Sequence, residues 1–359
     1  MSIVNNENVY FNTNLLEIKT PSKDVENGGV SAWQGIRFLA ENQYIICGTT
    51  NPSPNEGRGL LYSGNISCTN GDIYYLDVPE KNSEKGNYTS VYGPDYDVNT
   101  GKFTFVGSYK SKDTKSKKIM GFCYNGTLSK SDLTSADNFS FPTAINARFN
   151  TTYLHSNMNG LIVGNSGITK LNPNKTISYI LDQSTMKIKT KIMFPNSKTT
   201  TTYGIWYNGD NKYTIVGGYS NKIINIAKIY NKNLPIPYGS AFIVDYNSKT
   251  NTFSHWSSID YSFRDGVVTH FEGISRLEDS NIFSLNADIV DGILNKTAGY
   301  YSTASINDKT GKYEINKWVE LKYPGPGLGY TSSNSVSNDK IVGLYISQKG
   351  NVSYQATIT

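Results

Sequence analysis

The run Asp260-Tyr261-Ser262-Phe263-Arg264-Asp265-Gly266-Val267-Val268-Thr269-His270-Phe271-Glu272 is where an imidazole, a guanidinium and several carboxylates come closest together along this chain. His270 and Glu272 are two residues apart, so a strand would turn both side chains to one face, where they could share a proton. Asp265, His270, Glu272 and Arg264 are therefore the candidate catalytic group, with Arg264 also a candidate ligand contact. Hydrolysis needs an acid and a base or nucleophile that converge, and a metal site needs three or four ligands. The two residues on one strand meet neither requirement alone, and their ordinary reading is a structural hydrogen bond or an inert surface pair, with ligand contact without turnover the other reading.

Other chemistry is sparsely signalled. The chain has no GxSxG elbow, no HExxH, no phosphate loop, no dinucleotide fingerprint and no EF-hand loop. It has three histidines, so a histidine-built metal centre would require all of them to meet, and His155 is expected in a turn region after Tyr153. No cofactor is expected; structural calcium on axial carbonyls or carboxylates is left open. Cys47, Cys68 and Cys123 lack metal or redox spacing, and Cys47 and Cys123 lie in apolar strand patterns that suit buried thiols.

The elements that must position these residues are set by a repeat. Trp33-Gln34-Gly35 leads to Ile46-Cys47-Gly48, Val91-Tyr92-Gly93 to Phe105-Val106-Gly107, and Thr202-Tyr203-Gly204 to Ile215-Val216-Gly217. Phe271-Glu272-Gly273 leads to Ile282-Phe283, Gly327-Leu328-Gly329 to Ile341-Val342-Gly343, and a worn copy runs from Thr152-Tyr153-Leu154 to Ile162-Val163-Gly164. A period of this size holds four short antiparallel strands with their turns. Third strands follow at segments such as Gly59 to Gly64 and Ser240 to Val244, and fourth strands at Lys187 to Phe194 and Thr252 to Ile259. Pro79, Pro142, Pro195 and Pro324 each follow a fourth strand, where a missing N–H is tolerated.

This pattern predicts an all-β, six-bladed β-propeller with four-stranded antiparallel blades. The blades fall at about 31–79, 88–142, 150–195, 201–260, 267–323 and 327–359 of a single domain. The last repeat runs out after its third strand, and Val9 to Ile18 reads as a strand followed by Pro21. The N-terminal strand is thus expected to close the ring as the outer strand of the last blade. Propeller ligands sit in the central funnel, which makes Trp33, Gln34, Tyr92, Asp95, Arg148, Tyr203, Trp206 and Tyr330 candidate ligand-binding residues. Aromatic residues at a fixed repeat position also serve as packing wedges, and Trp256 and Trp318 read as structural.

Composition narrows the partners. The chain is 37% hydrophobic, 13% aromatic and 18% charged, with 27 tyrosines and a formal net charge of +5. Its basic cluster, Lys110, Lys112, Lys115, Lys117 and Lys118, reads as a solvated loop, because nucleic-acid binding shows a broader basic track interleaved with aromatics. No run of about 18 apolar residues predicts membrane insertion, and the first thirty residues hold no recognisable signal peptide. Cell-surface, virion-associated and cytoplasmic settings stay open, as do the oligomeric state and glycosylation of the Asn-x-Ser/Thr sites.

The phrases Gly59-Leu60-Leu61-Tyr62-Ser63-Gly64, Ser90-Val91-Tyr92-Gly93-Pro94-Asp95 and Val106-Gly107-Ser108-Tyr109 resemble repeats of extracellular bacterial β-propeller proteins of uncharacterised role, over residues 59 to 126. The resemblance implies blades and an extracellular or particle-surface setting, and it carries no catalytic residues. The function expected is a non-enzymatic recognition or scaffold module, on a cell or virion surface, with a glycan or protein partner. The alternative is a carbohydrate-active hydrolase or lyase with its site in the funnel.

Overall fold

The computed structural model describes residues 9–12, 30–53, 56–67, 70–79, 88–110, 118–167, 176–221, 239–262, 267–278, 280–291, 296–322, 327–347 and 350–359. After β1 (Val9–Asn12), the strands β2 (Val30–Ala40), β3 (Gln43–Ser53), β4 (Glu56–Gly64) and β5 (Gly71–Leu76) form an antiparallel meander. The same course is taken by β6 (Tyr88–Asp97), β7 (Lys102–Lys110), β8 (Ile119–Gly126) and β9 (Phe139–Ser140). It recurs in β10 (Thr151–Met158), β11 (Leu161–Gly167), β12 (Ile177–Asp182) and β13 (Lys187–Ile192). Next come β14 (Thr199–Gly209), β15 (Lys212–Ser220), β16 (Ser240–Asn247) and β17 (Thr252–Ile259). A fifth run is β18 (Val267–Arg276), β19 (Phe283–Asp291), β20 (Lys296–Asn307) and β21 (Lys312–Glu320). Last are β22 (Gly327–Ser337), β23 (Lys340–Ser347) and β24 (Gly350–Ile358), with β1 antiparallel to β24 so that Val9 faces Ile358 and Asn12 faces Gln355.

The molecule is all-β and propeller-like, with four four-stranded antiparallel sheets standing as separate units. The expectation of six separate sheets is corrected: β6–β9 and β10–β13 belong to one eight-stranded sheet, joined where Thr151 bridges Ile119 in parallel. The cause is the outer strand. β9 is only two residues long and covers Cys123 and Tyr124, leaving the Ile119 end of β8 bare. That end is satisfied instead by the Asn146 amide, which accepts from Gly121 N–H at 3.0 Å and donates to Gly121 C=O at 3.0 Å, and by Asn150 C=O, which accepts from Ile119 N–H at 2.9 Å. Asn146 sits on α2 (Thr143–Arg148), which like α1 (Lys130–Thr134) is a short helix that the strand pattern did not announce. The lysine cluster lies largely outside the described residues.

Hydrophobic side chains are buried between consecutive meanders. Ile45, Leu61 and Leu76 of the first pack with Val91, Phe105, Phe122 and Tyr124 of the second. Tyr301, Val319 and Leu321 pack with Val336, Ile341 and Tyr354, and Val342 of the last meander packs against Trp33, Ile36 and Ile46 of the first. Burying a phenylalanine such as Phe105 completely contributes about 1.5–3 kcal/mol. β2, β6, β10, β14, β18 and β22 are the strands that adjoin one another in succession, and β22 adjoins β2. Cys47 and Cys123 are buried free thiols, while Cys68 lies outside the described residues.

Candidate functional site

One irregularity recurs on every strand of that inner circle. The ladder to the following strand skips one residue, between Trp33 and Gly35, Val91 and Gly93, Leu154 and Ser156, Thr202 and Gly204, Phe271 and Gly273, and Ser333 and Ser335. A bulge residue is unpaired and its side chain is re-aimed. The six skipped residues are Gln34, Tyr92, His155, Tyr203, Glu272 and Asn334, and all six line one axial cavity of about 460 Å³. The bulge also explains the repeated second-strand glycine. It folds a carbonyl over that position, so a Cβ on Gly107 or Gly217 would lie 2.0 Å from the oxygen of Ser90 or Thr201.

The bulges correct two of the sequence registers. The sixth copy is Ser333-Asn334-Ser335, not Gly327-Leu328-Gly329, and His155 is the bulge residue of β10 rather than part of a turn. Both copies carry serine where the others carry glycine, which hid them. The signal that could have found them is the two-residue turn at Asn159-Gly160 and at Asn338-Asp339, since the bulge precedes the last paired residue of the strand by three in both hairpins.

The cavity wall has two characters. Tyr92, Tyr153, His155 and Tyr203 make an aromatic side, with the His155 ring 4.3 Å from Tyr203, 5.5 Å from Tyr92 and 5.9 Å from Tyr153. His270 meets the other side of Tyr203 edge-on at 4.4 Å. Two of the three histidines thus converge, while His255 lies on β17, its Nδ1 2.8 Å from Asp245. The polar side includes Glu272 of β18 and Thr201 of β14, and His270 contacts both without lining the cavity. His270 Nδ1 is 2.8 Å from Glu272 Oε1 and its Nε2 is 3.0 Å from Thr201 Oγ1 of the neighbouring sheet. An ionised carboxylate only accepts, so in the neutral ring the proton sits on Nδ1 and Nε2 accepts from the Thr201 hydroxyl. Beside them Asp288, opposite His270 in the ladder, accepts from Ser333 N–H at 2.8 Å and from the Ser332 hydroxyl at 2.7 Å.

Charge is expensive in this setting. Burial, helped by His270, pushes the His155 imidazole down to about 3. Burial pushes the Tyr92 hydroxyl up to about 12 against hydrogen bonds from Ser108 and Ser90, and drives that of Tyr203 higher still, with Glu272 the next cause. Asp288 is held well above the usual carboxylate range by burial and then by Glu272, opposed by its hydrogen bonds from Ser333 and Ser332.

The remaining candidates scatter. Gln34 borders the cavity with Tyr92 and Tyr203. Trp33 does not: it is 1% exposed, in the core between the first and last meanders, because the pleat sends it opposite to Gln34. Arg148 is exposed on α2 with its guanidinium over Phe149 and does not line the cavity. Asp95 accepts from Asn159 N–H at 3.0 Å, and Trp206 lies under the guanidinium of Arg37, 5.1 Å from ring centroid to Cζ. Tyr330 is half-buried on β22, four residues before Asn334 and outside the cavity wall. Arg264 and Asp265 lie outside the described residues. Among the described residues, no three His, Cys, Asp or Glu side chains are grouped to hold a metal ion, and no helix is long and apolar enough to cross a membrane.

No family model and no curated protein matches the chain. Among solved structures it is similar to a β-1,3-galactosidase bound to galactodeoxynojirimycin, at 14% identity and TM-score 0.41, covering 82% of this chain and 94% of that one. It is similar to a polysaccharide lyase, an ulvan lyase, at 9% identity and TM-score 0.45, covering 89% and 79%. A soluble aldose sugar dehydrogenase from Escherichia coli shows 11% identity and TM-score 0.42, covering 91% and 96%. At these values nothing about ligand or chemistry passes to this chain.

Proposed function

We propose that this protein is a recognition module that holds a saccharide in its axial funnel. The observation that carries the reading is the convergence of Gln34, Tyr92, His155, Tyr203, Glu272 and Asn334, one bulge residue from each inner strand, on a single cavity of about 460 Å³. Ligand pockets of about 300–1,000 Å³ combine apolar walls with a few placed polar groups. A pyranose has an apolar C–H face that suits tyrosine rings and a rim of hydroxyls that suits planar amides and a carboxylate, which both donate and accept among them. The six-fold reading belongs to the same proposal: the eight-stranded sheet counts as two blades, supported by six bulges and six inner strands in succession, and β1 completes the last.

Turnover of the bound sugar by a hydrolase or lyase is the second reading. It is favoured by the hydroxyl, imidazole and carboxylate of Thr201, His270 and Glu272, linked at 3.0 and 2.8 Å in the order in which a base activates a hydroxyl and a third group orients the base.

The test is binding of the wild type and of Tyr203→Ala to a panel of oligosaccharides by glycan array, followed by calorimetry. The ring of Tyr203 stands between His155 and His270, so its removal is expected to weaken binding by roughly tenfold or more. Absence of binding across the panel refutes the recognition reading. Release of reducing ends or of an unsaturated sugar, abolished by His270→Gln, replaces it with the second.

A further inference from the structure

The end of the cavity toward the β2–β3 turn, its floor, is bordered by an arginine. Arg37 follows the bulge residue Gln34 by three positions, about 10 Å further along β2. It is 9% exposed, borders the cavity, and reaches groups on β6, β10 and β14. Its Nε donates to Pro94 C=O at 3.3 Å, its Nη2 lies 3.5 Å from Asn157 C=O, and its Cζ sits 5.1 Å over the Trp206 ring. Those contacts come from three successive meanders and orient the plane of the guanidinium.

What they leave out matters more. A guanidinium carries five N–H donors, and two carbonyls use two of them, so Nη1 finds no acceptor among the described residues. Arg37 has no ion pair among them either. Asp95 is near enough to favour its charge but makes no hydrogen bond to it, its carboxylate accepting from Asn159 N–H. A buried cation normally has a paired anion, and burial here is the largest influence acting against the charged form of Arg37.

We infer that the ligand of the funnel bears a carboxylate, and that Arg37 receives it at the floor. This rests on the saccharide reading above and narrows it to a uronic acid. The planar guanidinium fork matches a planar carboxylate. The orientation follows from the two walls. Glu272 and Asp288 stand on the β18–β19 side, and Glu272, the bulge residue equivalent to Gln34, lies about 10 Å from the level of Arg37 along the strands. A uronate with its carboxylate at the floor keeps away from them, turns hydroxyls toward Glu272, and lays its ring against Tyr92 and Tyr203.

The experiment compares four forms of one disaccharide by calorimetry: neutral, uronic acid, methyl ester of that acid, and 6-sulfate. Wild type is expected to bind the acid roughly tenfold or more tighter than the ester or the neutral sugar, and Arg37→Met to bind all of them alike. Equal binding of acid and ester by the wild type overturns the role of Arg37 and leaves the saccharide reading standing. Tighter binding of the sulfate than of the acid overturns the carboxylate assignment. Failure of the wild type to bind any form removes both. If Arg37→Met does not fold, the wild-type comparison of acid with ester still decides.

Discussion

His155 offers a test of the burial argument that needs no ligand. Its imidazole has a folded-state pKa near 3, against 6.5 for the unperturbed group, because burial and the neighbouring His270 oppose its charge. The unfolded chain therefore binds a proton between those values that the native state refuses, and stability falls as pH drops below 6.5 toward 3. Each pH step costs about 1.4 kcal/mol, so moving from well above 6.5 to about pH 5 removes about 2 kcal/mol. Partial exposure of His155 at the funnel lowers this to about 1–2 kcal/mol. His155→Phe keeps a ring against Tyr203 and removes the titration. Urea unfolding of both proteins at about pH 7.5 and about pH 5 reads the effect, since the substitution removes the His155 titration and keeps every other ionisable residue. The variant is expected to lose about 1–2 kcal/mol less than the wild type on acidification. Equal losses would refute the claim that the ring is neutral because it is desolvated.

Asp288 should show the opposite sign. Its raised carboxyl pKa means the native state keeps a proton that the unfolded state has released, so stability contributed by the protonated form is lost as pH rises through the folded value. Asp288→Asn should gain stability relative to wild type at alkaline pH and not at about pH 4, as read by thermal melts. Asn165 supports the choice, since it accepts from Thr202 N–H at 2.9 Å as Asp288 does from Ser333 N–H. Deleting residues 1–20 removes β1 and bares the edge of β24; a fall in melting temperature of about 3 °C or more is expected, and an unchanged midpoint would show that β1 does not close the ring. Cys47 and Cys123 are buried, and burial alone pushes the Cys123 thiol up to about 12. Labelling of these two by a thiol reagent should wait for global unfolding, and rapid modification of either in the native protein would contradict their burial.

Local pattern determined the strands, because alternation, turn residues and prolines act within a few residues of one another. The fourth strand from Thr252 to Ile259 lies where its pattern places it, and His270 and Glu272 do meet, since two residues on one strand need no distant partner to share a face. Pairing of the N-terminal segment with β24 was legible because the last repeat lacks a fourth strand. Tertiary packing decided the rest. A bulge is defined by the strand opposite, so nothing local said that Gln34, Tyr92, His155, Tyr203, Glu272 and Asn334 would share one cavity, or that Trp33 would turn away from it. The joining of two meanders depends on how little of β8 the short β9 covers. Arg37 was passed over because its meaning comes from Pro94, Asn157 and Trp206, residues 57 to 169 positions distant that only closure around an axis brings to one guanidinium.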